Sequence, residues 1–235
     1  MSDEERSGSG SPIYRHTEVA PESRQIAQAD DERISGHLEK NIGPLGMVFH
    51  EIVSDRIHID IHRVPASEAH PYQVIATSGM SALAMTVPAE LEDGEQWRHA
   101  ELCMILPADW PLEEAALKDD RNYWPIRLLK QLARLPHDFS TWLGWGHSIP
   151  NGDPPEPYAP GTDLCGAVLI PPFLLGADFF TLPGEPSMHI FQVLPVTAGE
   201  MQLKLDKGLD EMLEHMEKQI PDVYGPLDPA RPSAV

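Results

Sequence analysis

His58-Ile59-Asp60-Ile61-His62 is the first stretch of this sequence whose residue types and spacing could do chemistry. Residues two apart on a strand share a face and lie roughly 6.6 Å apart, at a rise of ~3.3 Å per residue. Two imidazoles at that separation can converge on one zinc ion, with the carboxylate ligating or orienting them. Such a centre would serve a metal-dependent hydrolase. It needs a third or fourth ligand, and His50, Glu101 or His147 qualify by type while no spacing rule selects among them. A polar strand face paired with neighbours or water explains the same residues and requires nothing more. The expectation is therefore no metal and no cofactor, with His58, Asp60 and His62 as the metal candidates that have a spacing logic.

Thr77-Ser78-Gly79-Met80-Ser81 offers hydroxyls beside a glycine. It is not the G-x-S-x-G elbow, and no histidine and acid are marked as its partners. A glycine-containing turn at a strand end accounts for it. The sequence holds neither G-x-x-x-x-G-K-[ST] nor G-x-G-x-x-G, so nucleotide cofactors have no support.

Trp142-Leu143-Gly144-Trp145-Gly146-His147-Ser148-Ile149-Pro150-Asn151 is the most unusual segment. Two indoles in a glycine-rich, proline-bounded loop must either pack beneath it or meet a partner. Tryptophan is enriched at binding hot spots, where its ring fills a desolvated pocket. We expect one ring buried and one presented, with Trp142, Trp145, His147 and Asn151 as the candidate partner-binding residues.

The elements that must position these groups follow from periodicity. Asp30-Asp31-Glu32 supplies an N-cap and first-turn acids for a helix carrying Ile34, Leu38 and Ile42, and Gly43-Pro44 stops it. Met47 to Val53, Ile57 to Val64, Tyr72 to Thr77 and Ala100 to Leu106 read as strands. A helix spans roughly Tyr123 to Leu135, with Pro125 near its start. Pro136 to Leu164 reads as loop. Further strands fall at Gly166 to Ile170, Phe179 to Leu182 and Met188 to Leu194. Thr197 and Glu200 form a capping box for a last helix, whose stripe of Leu205, Leu209, Met212, Leu213, Met216 and Ile220 is core packing. The elements do not alternate as a doubly wound fold requires. The fold expected is α/β of the α+β type, with a mixed, largely antiparallel sheet flanked by helices. Residues 1–31 are expected as a disordered tail, 32–220 as one domain, and 221–235 as an irregular, proline-rich tail.

Composition narrows the function. Against 17 Lys and Arg stand 37 Asp and Glu, a formal net charge of −20. Such a surface repels phosphate backbones and anionic membranes and attracts basic partners. Nucleic acid and membrane are thereby set aside. Cys103 and Cys165 lie far apart within apolar runs, as buried free thiols of a reducing cytoplasm would. Met1 to Gly10 is too polar for a signal peptide, and no run reaches the ~20 apolar residues of a membrane span. Cytoplasmic location is the expectation.

Together, His58-Ile59-Asp60-Ile61, Pro71-Tyr72 through Ser81, Ala100-Glu101-Leu102 with Leu106-Pro107-Ala108-Asp109-Trp110, Trp124 to Lys130, Trp142 to Asn151 and Phe191-Gln192-Val193-Leu194-Pro195 resemble the Suppressor of fused domain. The likeness spans about Ile34 to Glu217, with the motifs in the family's order. It implies an α/β domain without catalytic activity that binds protein. Animal members hold a Gli-type transcription factor inactive. Bacterial members resemble immunity proteins beside polymorphic toxin genes, and the short layout here is similar to theirs. The resemblance thus implies an inhibitory module for a basic toxin domain, with a general scaffold as the other non-enzymatic reading.

Overall fold

The computed structural model describes residues 5–16, 30–51, 54 and 56–235. Helix α1, Asp31–Asn41, starts where the acids place it, with the Asp30 side chain accepting the Arg33 N–H. Its Ile34 and Leu38 are fully buried. Strands β1 (Val48–Phe49), β2 (Asp60–Val64), β3 (Tyr72–Ser78) and β4 (Ala100–Pro107) follow. Ile52 and Val53, in the first expected strand, lie outside the described residues. Helix α2 spans Asp120–Asp138, longer than its periodicity indicates at both ends. Asp119 caps it by accepting the Arg121 N–H, and the helix runs on through Pro136. Strand β5 (Ser148–Pro150) then arises inside the region read as loop, too short to show alternation. Strand β6 is Leu164–Ile170.

Two further elements depart from expectation. Phe179 to Leu182 is no single strand: helix α3 (Ala177–Phe180) gives way to strand β7 (Thr181–Leu182). The last helix is two, α4 (Ala198–Lys207) and α5 (Leu209–Gln219). Gly208 divides them at φ 98°, where no helix continues. The capping box of Thr197 and Glu200 is present.

Strand β8, Met188–Thr197, completes an eight-stranded sheet in the order β1-β2-β3-β4-β8-β6-β5, with β7 also on β8. Every pairing is antiparallel except β4 with β8. Alternating side chains give the sheet two buried faces. Ile59, Ile61, Ile75, Leu102, Leu169 and Phe191 pack against Trp124, Leu128, Leu129 and Leu132 of α2. On the other face, Val74, Cys103, Ile105 and Ile190 lie under α1, while Val168, Ile170, Leu194 and Val196 lie under α5. Helices thus cover both faces, the layered solution for a sheet that is apolar on both sides. Cys103 and Cys165 are buried and free. Among the described residues, no helix is long and apolar enough to cross a membrane.

The proline-rich end is irregular, yet it is no free tail. Leu227 and Ala234 are buried, and Leu227 donates its N–H to the Ile105 carbonyl at 2.9 Å. Arg231 pairs with Glu200 at 2.6 Å. Charge pairing and apolar docking hold a segment that prolines bar from helix and sheet.

Of the expected amino-terminal tail, residues 1–4 and 17–29 lie outside the described residues. In the described part, the Ser9 N–H donates to the Leu205 carbonyl at 2.8 Å and His16 stacks on Phe139. These are surface contacts. Deleting Met1 to Gln28 is expected to remove about 1 kcal/mol, a fall of about 2–4 °C in melting midpoint. A calorimetric midpoint lower by far more would make this segment part of the folding unit.

Candidate functional site

The tryptophan loop is mounted at fixed points. After α2, Leu143 is buried and its N–H meets the Met85 sulfur at 3.4 Å. Trp142 folds back over its neighbour, so that a Cβ on Gly144 would stand 2.6 Å from the ring. Gly146, at φ 81°, donates its N–H to the Leu169 carbonyl at 2.8 Å, and the Leu169 N–H returns to the His147 carbonyl at 2.9 Å. Between Leu143 and Gly146 the chain leaves Trp145 nowhere to go but out, and it is 56% exposed. Trp142 is partly buried against the main core, while Trp145 is turned outward.

His147 meets Trp142 edge-on, with ring centroids 4.4 Å apart. Burial, reinforced by the nearby Lys204 charge, pushes its imidazole pKa down to about 4, so it is neutral at physiological pH. Asn151 donates its side-chain N–H to the Glu156 carbonyl at 2.6 Å, and its backbone N–H to the Cys165 carbonyl. Both residues shape the loop. Trp145 alone of the candidate residues stands more than half exposed. Phe173 and Leu174, in the segment after β6, are also exposed apolar residues, and the Phe173 ring packs against Tyr224. Sequence reading missed them because two apolar residues in a loop carry no periodicity.

The histidine motif divides. His58 Nε2 lies 2.9 Å from Asp60 Oδ1 and His50 Nδ1 lies 2.8 Å from Asp60 Oδ2. Among the described residues these three bring their ligand atoms within 4.8 Å of one another. His62 does not join them. Its Nε2 is 2.8 Å from Asp31 Oδ1 at the start of α1, so the candidate triad of His58, Asp60 and His62 is not assembled. Glu101 and His147 are committed elsewhere. His50 is brought in by antiparallel register: Val48 faces His62 and Phe49 faces Ile61, so His50 comes opposite Asp60.

Thr77 to Ser81 forms a cradle for a buried carboxyl group. Glu101, 0% exposed, accepts the Thr77 hydroxyl at 2.5 Å, the Gly79 and Ser81 N–H groups at 3.0 Å, and the Ser81 hydroxyl at 2.6 Å. The Thr77 and Ser81 hydroxyls are donors to this acid, and the Ser78 hydroxyl donates to Asp31 at 2.8 Å. Only glycine fits at the apex, because a Cβ on Gly79 would lie 1.9 Å from the His58 carbonyl oxygen.

The family model for Suppressor of fused protein (SUFU) matches residues 55–232, more than half of the chain. No curated protein matches the sequence. Among solved structures, a putative SUFU homolog from Neisseria gonorrhoeae is similar with a TM-score of 0.63 at 16% identity, over 87% of this chain and 96% of that one. The Sufu-Fu complex gives 0.61 at 15% identity, over 88% and 93%. Drosophila Suppressor of Fused gives 0.60 at 15% identity, over 88% of this chain and 52% of that longer one. The sheet and its helices are the same architecture. The chain belongs to the Suppressor of fused family.

Proposed function

We propose that the chain is a non-catalytic protein-binding module that engages a basic partner through Trp145, and that it acts as an immunity or inhibitory protein against a toxin domain in the cytoplasm. The observation that carries this reading is the rigidly mounted, outward Trp145. An indole held out by a buried neighbour on one side and a strand pairing on the other enters a partner's pocket with little ordering cost. The exposed acids of the adjoining Asn151–Pro157 segment, Asp153 and Glu156, add to a chain-wide charge of −20. A basic partner is steered toward such a surface, and a family relative is known in complex with a protein partner, Fu. The hydroxyls of the Thr77–Ser81 turn are occupied by carboxylates, Thr77 and Ser81 by Glu101 and Ser78 by Asp31, which favours the non-catalytic reading.

The test begins with affinity purification at low salt and identification of the co-eluting protein. Trp145→Ala is then expected to weaken its binding by ~2 kcal/mol, about 30-fold, mainly through a faster off-rate. Its melting temperature should stay at the wild-type value, because the ring is exposed. Raising salt should slow association while changing dissociation little. A neutral or acidic partner, or unchanged kinetics in Trp145→Ala, would move the interface to another surface and favour a scaffold role.

A further inference from the structure

We propose that His50, His58 and Asp60 form a binding site for a single divalent transition-metal ion of the zinc class. The donor set is two imidazole nitrogens and a carboxylate oxygen, a common composition for zinc with one position left to water. Ligand atoms around a tetrahedral zinc stand ~3.4 Å apart, given metal–ligand bonds of ~2.1 Å. His50 Nδ1 and His58 Nε2 already lie 2.8 and 2.9 Å from the two oxygens of Asp60. Parting them by about half an ångström admits the ion. The His50 side chain is 71% exposed and can make that movement.

A second observation is the hydrogen-bond chain that orients the His58 ring. The Glu51 carboxylate accepts the Ser54 hydroxyl proton at 2.6 Å. Ser54 Oγ lies 3.0 Å from His58 Nδ1 and, having spent its proton on Glu51, can only accept there. His58 therefore carries its hydrogen on Nδ1. Nε2, 2.9 Å from Asp60 Oδ1, is then the ring nitrogen turned to the site, where an ion can take it as a ligand.

The relay from Glu51 through Ser54 to His58 is the arrangement that orients metal-ligating histidines and raises their basicity. It is anchored in turn, because Glu51 also accepts the Ile59 N–H at 3.1 Å and pairs with Arg134 of α2. Asp60 is held by the Glu51 N–H at 2.9 Å. Lys130, whose Nζ lies 3.5 Å from the Phe49 carbonyl, is the cation with which the ion must share Asp60. His62 serves as the internal control, being two residues from Asp60 and bound to Asp31 instead.

The experiment titrates zinc chloride into the full chain, stripped with chelator and carrying no histidine tag, by calorimetry. Cobalt(II) is followed in parallel by visible absorption, which reports coordination geometry. The expected result is one ion per chain, with a cobalt spectrum of tetrahedral intensity. Affinity should fall about 100-fold or more in His50→Ala and Asp60→Asn, and about 10-fold in Ser54→Ala. It should be unchanged in His62→Ala. Zinc should also raise the melting temperature of the wild type and not that of Asp60→Asn. His50→Ala keeps the test sound if Asp60→Asn fails to fold, because the His50 side chain is largely in water. No saturable uptake, or uptake indifferent to both substitutions, overturns the site. Neither outcome depends on the partner interface.

Discussion

Replacing Arg231 with alanine is expected to destabilise the fold by about 3–5 kcal/mol, the cost of leaving a buried charge unpaired. Glu200 is 0% exposed, and both nitrogens of the Arg231 fork reach its carboxylate, at 2.6 and 2.7 Å. The same carboxylate accepts the Thr197 N–H that opens α4 and the Ala234 N–H near the chain end. One contact therefore ties the carboxy-terminal segment to the helix start. In a chain of this size the loss corresponds to a melting midpoint lower by roughly 10 °C. Arg231→Lys should recover only part of it, since a point charge cannot match a fork. Pairing Arg231→Met with Glu200→Gln should be milder than Arg231→Ala, because no charge is then stranded.

The pH dependence has a definite sign. Burial alone would raise the Glu200 pKa, but Arg231, with the Thr197 and Ala234 N–H groups, more than offsets it and holds the value below the ordinary glutamate range. A carboxyl group with a lowered folded-state pKa contributes its stability above the unfolded pKa and loses it as pH falls through the folded one. The wild type should thus weaken in acid. Arg231→Ala should be weak already at neutral pH and lose less on acidification. Urea melts at neutral and acid pH decide this. Equal stability of Arg231→Ala and wild type would mean that the terminal segment is undocked in solution.

Glu101→Ala is expected to be comparably severe, at about 3–5 kcal/mol, against a total of about 5–15 kcal/mol for a typical domain. The two hydroxyls and two N–H groups of the Thr77–Ser81 cradle would be left without acceptors in a water-excluded site, each stranded donor costing about 1–3 kcal/mol. Partial collapse and water entry limit the sum. Ser81→Ala, which removes one donor and leaves the acid partnered, should cost only about 1–2 kcal/mol. Gly79→Ala should approach the Glu101 effect by a different route, steric conflict with the His58 carbonyl at a φ of 135°. Chemical denaturation of the three variants checks the ranking. Wild-type stability in Glu101→Ala would show that the cradle does not organise this turn.

How much of this could be read in advance depends on the range of each interaction. The Asp30 cap, the Thr197–Glu200 capping box, the inward isoleucines at 57, 59 and 61, and the apolar strand 100–107 are all patterns that close within a few residues. Periodicity and capping follow from backbone geometry alone, so the α1 start, the β2–β4 strands and most of α2 could be placed from sequence. The ordered motifs also carried the family. Where local signals failed, a short-range cause is visible: β5 spans too few residues to alternate, and a single glycine, Gly208, splits a stripe that reads as one helix.

The sites were decided by strand order and register. Glu101 meets Thr77 because β3 pairs antiparallel with β4, and His50 meets Asp60 because β1 folds back on β2. Arg231 finds Glu200, 31 residues away, only after β4 and β8 lie parallel with the chain end docked against them. The sequence marked His62 and His58 as equals, and tertiary packing separated them by setting the α1 start beside one alone. It marked two tryptophans, and Leu143, buried in the core, with Gly146, bonded to β6, chose which faces water. Residue types and short spacings therefore determined which groups were available. Long-range pairing decided which groups met, because its energy lies in contacts between segments that no local pattern encodes.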